Sequence, residues 1–424
     1  MNQKRIIALV DCNAFYCSCE RLFRPELKNR PVGVLSNNDG CFVSRTTELK
    51  ALGVPMGAPY FKYKKICDDH QVAIFSANFS LYSQLSDRVM QSLFQYTPHL
   101  EIYSIDEAFL DLSGMQDAEA YDYCIKIKND IYQNTGIPVG IGLAQTKVLA
   151  KVANKVAKTY QHYAGVCSLL DEKNIDQALK VFPIGELWGI GRQNTRKMQS
   201  INIKTAYDLK HYKNRLMIQK QFTKLGLMIM DELNQINCFP FGENQNKKKQ
   251  IMCSRTFGQG IYEREFLQSA VASYTSFAME KLRKQSSVCS EISVAIHTSP
   301  FKETEFYYGT KTAQLPTPTA DTRKMIKAAF QLLDEIFRPG LEYKKAIVSI
   351  GKIQDESGFQ PSFFEATDSP LAQRLMKTMD AINRREGPDS VKSLACGTQT
   401  SSWSMKQIHR SPRYLSGWNE LPKI

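Results

Sequence analysis

Leu100-Glu-Ile-Tyr-Ser-Ile-Asp-Glu-Ala-Phe-Leu-Asp-Leu112 is the stretch on which the reading of this chain turns. Two apolar runs, Leu100–Ile105 and Ala108–Leu112, flank the acids Asp106 and Glu107. Two such runs joined by two residues predict a β-hairpin with the acids at its turn. Consecutive strand residues face opposite ways, so both acids can address one site only where the backbone turns. Upstream, Ile6–Val10 is apolar throughout and ends in Asp11. A continuous run of this kind predicts a strand buried on both faces. With that strand beside the hairpin, Asp11, Asp106 and Glu107 meet at one edge of a sheet. Carboxylates so gathered repel one another, and a divalent cation is their natural partner. Oxygen ligands combined with substrate phosphates favour Mg²⁺. Two such ions stabilise the attacking and leaving oxygens of a phosphoryl transfer. The plainer alternative is a set of exposed turn acids, and Asp111 fits that description.

Working outward, Arg30-Pro31, Asn37–Gly40 and Gly53-Val-Pro-Met-Gly-Ala-Pro59 read as turns in a small inserted lobe. Leu81, Leu85, Val89 and Leu93 recur at helical spacing within Phe79–Tyr96. Tyr121–Asn134 reads as a helix, Val139–Leu143 as a strand and Lys147–Lys158 as another helix. This order predicts an α+β layer, a sheet with helices packed on one face. Farther on, Pro183-Ile-Gly-Glu-Leu-Trp-Gly-Ile-Gly191 ahead of Arg192–Ser200 suggests helix, G-x-G turn, helix. Glycines let the backbone approach a phosphate, and helix N-termini offer free N–H groups. The tract Glu243–Gln250, with Lys247, Lys248 and Lys249 together, reads as a linker. Residues 251–353 show a strand–helix–strand–strand–helix–strand rhythm. From Asp355 a loosely ordered tail with short helices is expected.

Length and composition bound the answer. The 424 residues suggest roughly three domains. No stretch nears the ~18 apolar residues of a membrane span, and an acid directly follows the apolar run Ile6–Val10, unlike a signal-peptide core. A net charge of +13 and a pI near 9.1 point to a polyanionic partner. The 11 cysteines are odd in number and scattered, with Cys17 and Cys19 as a C-x-C. They read as reduced thiols, and a cytoplasmic location is expected.

Val10-Asp-Cys-Asn-Ala-Phe-Tyr-Cys-Ser-Cys-Glu20, Tyr103-Ser-Ile-Asp-Glu-Ala-Phe109 and Gly140-Ile-Gly-Leu-Ala-Gln-Thr-Lys-Val-Leu-Ala-Lys151 resemble the palm motifs of Y-family DNA polymerases. Ser36-Asn-Asn-Asp-Gly-Cys41, Ile251-Met-Cys-Ser-Arg-Thr-Phe257 and His409-Arg-Ser-Pro-Arg-Tyr414 are similar to members of the UmuC type. The resemblance spans nearly the whole chain. It implies a multidomain right-hand polymerase: palm (1–15 and 78–168), fingers (16–77), thumb (169–242), linker (243–250), an α/β little-finger domain (251–354) and a C-terminal tail (355–424). It implies error-prone, template-directed addition of dNTPs to a primer 3′ end in DNA damage tolerance. Asp11, Asp106 and Glu107 would be catalytic and would hold two Mg²⁺ ions, with the Cys12 carbonyl as a further ligand.

The resemblance also assigns nucleotide contacts. Tyr16, beside Phe15, stands where the family places its sugar-sensing aromatic; a flat ring there leaves no room for a 2′-hydroxyl. Lys158 and Lys50 would meet the triphosphate. Many relatives carry arginine at the Lys50 position and an aromatic near Thr47; lysine is a point charge without arginine's bidentate grip. Lys147, Lys151, Lys155 and Lys158 share one side of a helix, a pattern usual for a solvated face. Gly189, Gly191, Arg192 and Arg255 would hold DNA without reading its sequence. Gln360-Pro-Ser-Phe-Phe364 is similar to the motif by which bacterial polymerases bind the sliding clamp, with Gln360, Phe363 and Phe364 as anchors. The partners implied are primer–template DNA, a UmuD-type cleaved dimer, RecA and the clamp, which the tail would dock; a strap folded back on the little finger is the alternative. Two other functions compete: a nucleotide cyclase on a palm-like sheet, and a non-catalytic DNA-binding scaffold. The G-x-G segment and the basic C-terminal half disfavour the first, and the intact carboxylates disfavour the second.

Overall fold

The computed structural model describes residues 4–242, 247–301, 306–358, 367–398, 403 and 405–421. The clamp-type motif at Gln360, Phe363 and Phe364 lies outside them. The chain divides into two units. One comprises Met1–Ser36, Gly40–Gln245 and His409–Ile424, the other Asn37–Asp39 and Asn246–Ile408.

In chain order the first unit contains β1 (Ile7–Cys12), α1 (Phe15–Leu22), β2 (Val32–Leu35), β3 (Phe42–Arg45), α2 (Thr47–Ala51), α3 (Tyr60–Asp69), β4 (Ala73–Ser76), α4 (Phe79–Leu93), β5 (Leu100–Ile102), β6 (Glu107–Asp111), α5 (Asp117–Thr135), β7 (Val139–Ala144), α6 (Lys147–Thr159) and β8 (Val166–Leu169). There follow α7 (Glu172–Val181), α8 (Arg192–Ser200), α9 (Ala206–Lys210) and α10 (Arg215–Leu233). A five-stranded sheet ordered β5-β6-β1-β7-β8 is the frame. β1 lies antiparallel between β6 and β7. Ile6, Ala8 and Val10 pack with α4 and α5 residues such as Leu85, Val89, Ile127 and Ile131. Ile7 and Leu9 pack on the other side with Val148, Leu149 and Val152 of α6. Helices therefore cover both faces, not one as the element order suggested. The cause is in the strand itself, since alternate residues of an unbroken apolar run each need a cover.

The hairpin also differs in detail from the sequence reading. β5 ends at Ile102, and Glu107 is already the first residue of β6. The turn occupies residues 103–106, where the Tyr103 and Ser104 amides both donate to the Glu107 carbonyl. The inserted lobe is a three-stranded sheet, β3-β2-β4, over its own small core of Leu35, Phe42, Leu49 and Val54. Directly before the Gly189–Gly191 turn stands a single 3₁₀ turn, Ile184–Glu186, where a short helix was expected.

The second unit runs β9 (Ile251–Ile261), α11 (Arg264–Lys284), β10 (Ser287–Thr298), β11 (Tyr308–Thr319), α12 (Thr322–Ile336) and β12 (Tyr343–Asp355). Its antiparallel sheet is ordered β11-β10-β12-β9. The region past Asp355 is more ordered than its composition suggested. Ser369 caps α13 (Pro370–Glu386), which has proline in its first turn. Asp380 of α13 takes a bidentate bond from Arg283 of α11, 2.7 Å for each nitrogen. In the first unit, the segment from His409 lies on the inserted lobe and α4. The Ser76 amide donates to the His409 carbonyl at 3.0 Å, and Tyr414 stacks on Phe23 at 4.5 Å.

The contact between β7 and α6 is backbone on backbone. A methyl group on Gly142 would lie 2.2 Å from the Asn154 nitrogen and 2.3 Å from the Ala150 carbonyl oxygen. Neither can yield without lifting α6 from the sheet. Gly142→Ala should therefore cost ~3 kcal/mol or more and lower the melting temperature markedly. Gly191→Ala, whose added methyl meets nothing within 4 Å, should cost about 1 kcal/mol or less. Thermal unfolding of the two variants checks this; equal losses would contradict it.

Candidate active site

Asp11 stands near the end of β1, opposite Glu107 of β6 and Gly140 of β7. Directly opposed residues of antiparallel strands project to the same face. Register, and not a two-residue turn, thus brings Asp11 and Glu107 together. Asp106 completes the group from the turn. Its carbonyl accepts from the Cys12 amide at 2.8 Å, and its carboxylate accepts from the Ser104 hydroxyl at 2.6 Å.

Helix α6 supplies the countercharges, and its lysines are only in part a solvated stripe: Lys147 and Lys151 are shielded, whereas Lys155 is exposed. Lys147 is 4% exposed and pairs with Glu101 at 2.7 Å. Lys151 pairs with Glu107 at 2.9 Å, Lys155 with Glu186 at 3.0 Å and Lys158 with Asp11 at 2.5 Å. The Lys151 ammonium also sits 4.5 Å from the Tyr103 ring centre and 5.3 Å from that of Trp188. The Trp188 indole N–H donates to the Tyr103 hydroxyl at 3.2 Å. This small cage joins the acidic turn to the segment bearing the G-x-G turn. Gly140 makes room for the Lys158 stem, because a methyl there would fall 2.8 Å from its Cε.

Burial pushes the Asp11 carboxyl up to about 6; Lys158 opposes this, while Glu107 and Asp106 add to it. An acid that resists ionisation beside an ammonium is one whose charge is poorly solvated. Among the described residues, no group of three or more His, Cys, Asp or Glu side chains is arranged around a common point to hold an ion. Each of these carboxylates is turned to its own lysine or hydroxyl. The donor set itself, all oxygen, with Asp11 and Glu107 paired by register and Asp106 added from the turn, suits a hard divalent cation.

Asp11 and Asp106 face a cleft of about 610 Å³ that Tyr16, Arg45, Lys50 and Lys158 also help to line; Glu107, turned to Lys151, is not among its lining residues. Partial burial, followed by the charges of Arg45, Lys155 and Lys158, holds the Lys50 ammonium below its ordinary pKa. A cluster of cations that repel one another is preorganised for an anion. Arg45, which no sequence motif singled out, belongs to it: it precedes α2 on the same lobe as Lys50, and its guanidinium donates to the Val54 carbonyl. Tyr16 stacks on Tyr82 at 4.5 Å and meets Phe79 edge-on at 5.9 Å. Phe15 is 3% exposed and backs the cleft from the core. A larger cavity of about 930 Å³ lies in the second unit between α11 and α13. Arg283 and Asp380 face each other there as an ion pair, and none of the residues singled out from the sequence lines it.

The remaining predicted residues lie outside this cleft. Gly189 turns with φ of 85° against Ile229. Gly191 caps α8 and Arg192 opens it, both exposed. Arg255 is exposed on β9, its guanidinium 5.4 Å from the Phe277 ring centre.

The fold is that of the Y-family DNA polymerases. A chimeric Y-family polymerase matches 82% of this chain and 99% of its own length, with a TM-score of 0.66 at 22% identity. The chain belongs to the impB/mucB/samB family: that family's model matches residues 10–155, and the model of its C-terminal domain matches residues 248–363. A third model, a domain of unknown function, matches residues 373–424. Protein UmuC of Salmonella typhimurium is 39% identical over 99% of this chain and 100% of its own length. Protein MucB of Escherichia coli is 37% identical over 98% and 99%. A DNA polymerase IV of Clostridium acetobutylicum is 25% identical over 83% and 86%.

The Lys151–Glu107 pair is largely shielded, with side chains 14% and 19% exposed. A double-mutant cycle of Lys151→Met and Glu107→Gln, followed by urea unfolding without divalent metal, should give a coupling of ~1–3 kcal/mol. Additive effects would show the pair to be incidental.

Proposed function

We propose that this chain is the catalytic subunit of an error-prone translesion DNA polymerase, adding dNTPs to a primer 3′ end on a DNA template in damage tolerance and SOS mutagenesis. One observation carries the reading: carboxylates from β1 and the β5–β6 turn face the same cleft as a basic cluster, on a sheet of polymerase topology. In this reading the five-stranded sheet is the palm, the inserted lobe the fingers, and α7–α10 the thumb. The second unit supplies the little finger.

Asp11, Asp106, Glu107 and the Cys12 carbonyl would hold two Mg²⁺ ions. Bound there, the ions supply charge stabilisation for the attacking and leaving oxygens of phosphoryl transfer. The chain's own groups do the rest. Lys158, Lys50 and Arg45 neutralise and orient the triphosphate. Lys158 and Lys151 keep the carboxylates compensated until they are needed. Tyr16, held flat against Tyr82, presents its edge to the sugar and excludes a 2′-hydroxyl, with Phe15 behind it. Gly189, Gly191, Arg192 and Arg255 take the DNA backbone. No helix among the described residues is long and apolar enough to cross a membrane. A UmuD-type cleaved dimer, RecA and the sliding clamp are the protein partners proposed, the clamp through Gln360, Phe363 and Phe364.

Asp106→Ala or Glu107→Ala should lower primer extension at least ~100-fold while duplex binding persists. Near-normal extension by either variant would sink the two-metal assignment, and a wild-type protein without extension activity both alone and with the proposed partners would favour a cyclase or a scaffold. Tyr16→Ala should admit ribonucleotides, read as a lower ratio of dNTP to rNTP incorporation; an unchanged ratio removes Tyr16 from sugar selection.

A further inference from the structure

The segment matched by the domain of unknown function ends on the first unit, and its contacts there converge on one helix pair. Helix α1 carries Tyr16 and, one turn later on the same side, Glu20. The Glu20 carboxyl is fully buried. One of its oxygens accepts from the Tyr82 hydroxyl at 2.6 Å and from the Ser411 hydroxyl at 3.1 Å. Tyr82 belongs to α4 and is the residue on which Tyr16 lies, their rings 15° from parallel. Asn78, which caps α4, donates to the Ser411 carbonyl at 3.2 Å and to the Ser411 hydroxyl at 3.1 Å. The His409 amide donates to the Ser76 hydroxyl at 2.9 Å, so the segment runs beside the end of β4. Tyr414 closes the arrangement by stacking on Phe23, just past the end of α1.

We propose that residues 409–414 are an intramolecular strap that positions the sugar-sensing face, holding α1 and α4 so that Tyr82 stays flat behind Tyr16. The chain's C-terminal segment is then a specificity determinant of nucleotide addition, in addition to any docking role of the region before it. Without the strap, Glu20 loses one of the two donors at its buried oxygen, and the Asn78 amide nitrogen loses its acceptors while its oxygen still caps α4 at Leu81. The Tyr16–Tyr82 stack is then free to shift, and the space above the sugar widens. The strap residues touch no substrate; they are positioning residues. The inference rests on Tyr16 being the sugar gate.

The test is the ratio of kcat/KM for a dNTP to that for the matching rNTP, measured on the full chain. A merely structural lesion lowers both constants and leaves their ratio unchanged. Ser411→Val combined with Tyr414→Ala should lower the ratio about tenfold. It should lower it no further when added to Tyr16→Ala. Tyr414→Phe, which keeps the stack, should retain the parental ratio. If Tyr16→Ala lowers the ratio and the Ser411/Tyr414 variant does not, the strap proposal is overturned. If Tyr16→Ala itself leaves the ratio unchanged, the gate reading falls and takes the strap with it; the single variant tells the two failures apart. Should the double variant fail to fold, Ser411→Ala alone decides by the same ratio, since it deletes only the strap hydroxyl bonded to Glu20 and Asn78; a lowered ratio supports the strap and a parental ratio overturns it.

Discussion

Strand β1 is held on every side. Both its edges are paired, to β6 and β7, and both its faces are covered, so its residues lie at essentially zero exposure until the chain reaches Asp11. A slip of one residue in either pairing would exchange the two apolar sets between α4–α5 and α6. It would also move Asp11 away from Glu107. The packing that excludes water from Ile7 and Leu9 is thus the same constraint that sets the spacing of the carboxylates. Helix α6 is fixed by the same strands, pressed on β7 at Gly142, which is why its lysines arrive opposite those acids.

That placement decides the electrostatics. Three acids at a partly buried edge are costly if left alone. Here two of them meet ammonium groups and the third a hydroxyl. Desolvation still wins at Asp11, whose carboxyl remains well above its ordinary range despite an ion pair of 2.5 Å. At Lys50 the imbalance has the other sign, since partial burial and then the charges of Arg45, Lys155 and Lys158 disfavour its ammonium. The cleft therefore has an under-stabilised anion at its floor and an under-stabilised cation at its rim. A ligand carrying both a divalent cation and phosphates would relieve both.

Much of this frame is legible in the sequence because it is written at short range. The apolar period gives α4, α5 and α6 to within a few residues, and the rhythm of residues 251–353 appears as β9-α11-β10-β11-α12-β12. What escapes is long-range or conformational. Ile105 looks like strand, yet two amides converging on the Glu107 carbonyl place it in the turn. Helical spacing puts Lys147 beside Lys151, but nothing local announces that Glu101, 46 residues earlier, waits to bury it. Arg45 belongs to no spaced motif and is recognised only once β3 and α6 share a cleft. The polar composition after Asp355 suggests disorder, because the groups that order it, such as Asn78 for Ser411, lie 333 residues away.

All eleven cysteines are unpaired; Cys12 lines the cleft and Cys17 and Cys19 lie in the core behind it on α1, each at 3% exposure or less. Burial pushes the Cys17 thiol up to about 12, and those of Cys12 and Cys19 higher still. Since the thiolate is the nucleophile, burial leaves these sulfurs poorly reactive in the folded chain. Cys17 and Cys19 ride on α1, so opening of that helix exposes them. The rate at which an alkylating reagent consumes Cys17 or Cys19 therefore reports any opening, local or global, that exposes the helix bearing Tyr16. The molecule thereby carries its own gauge of opening at the nucleotide cleft, with no added label.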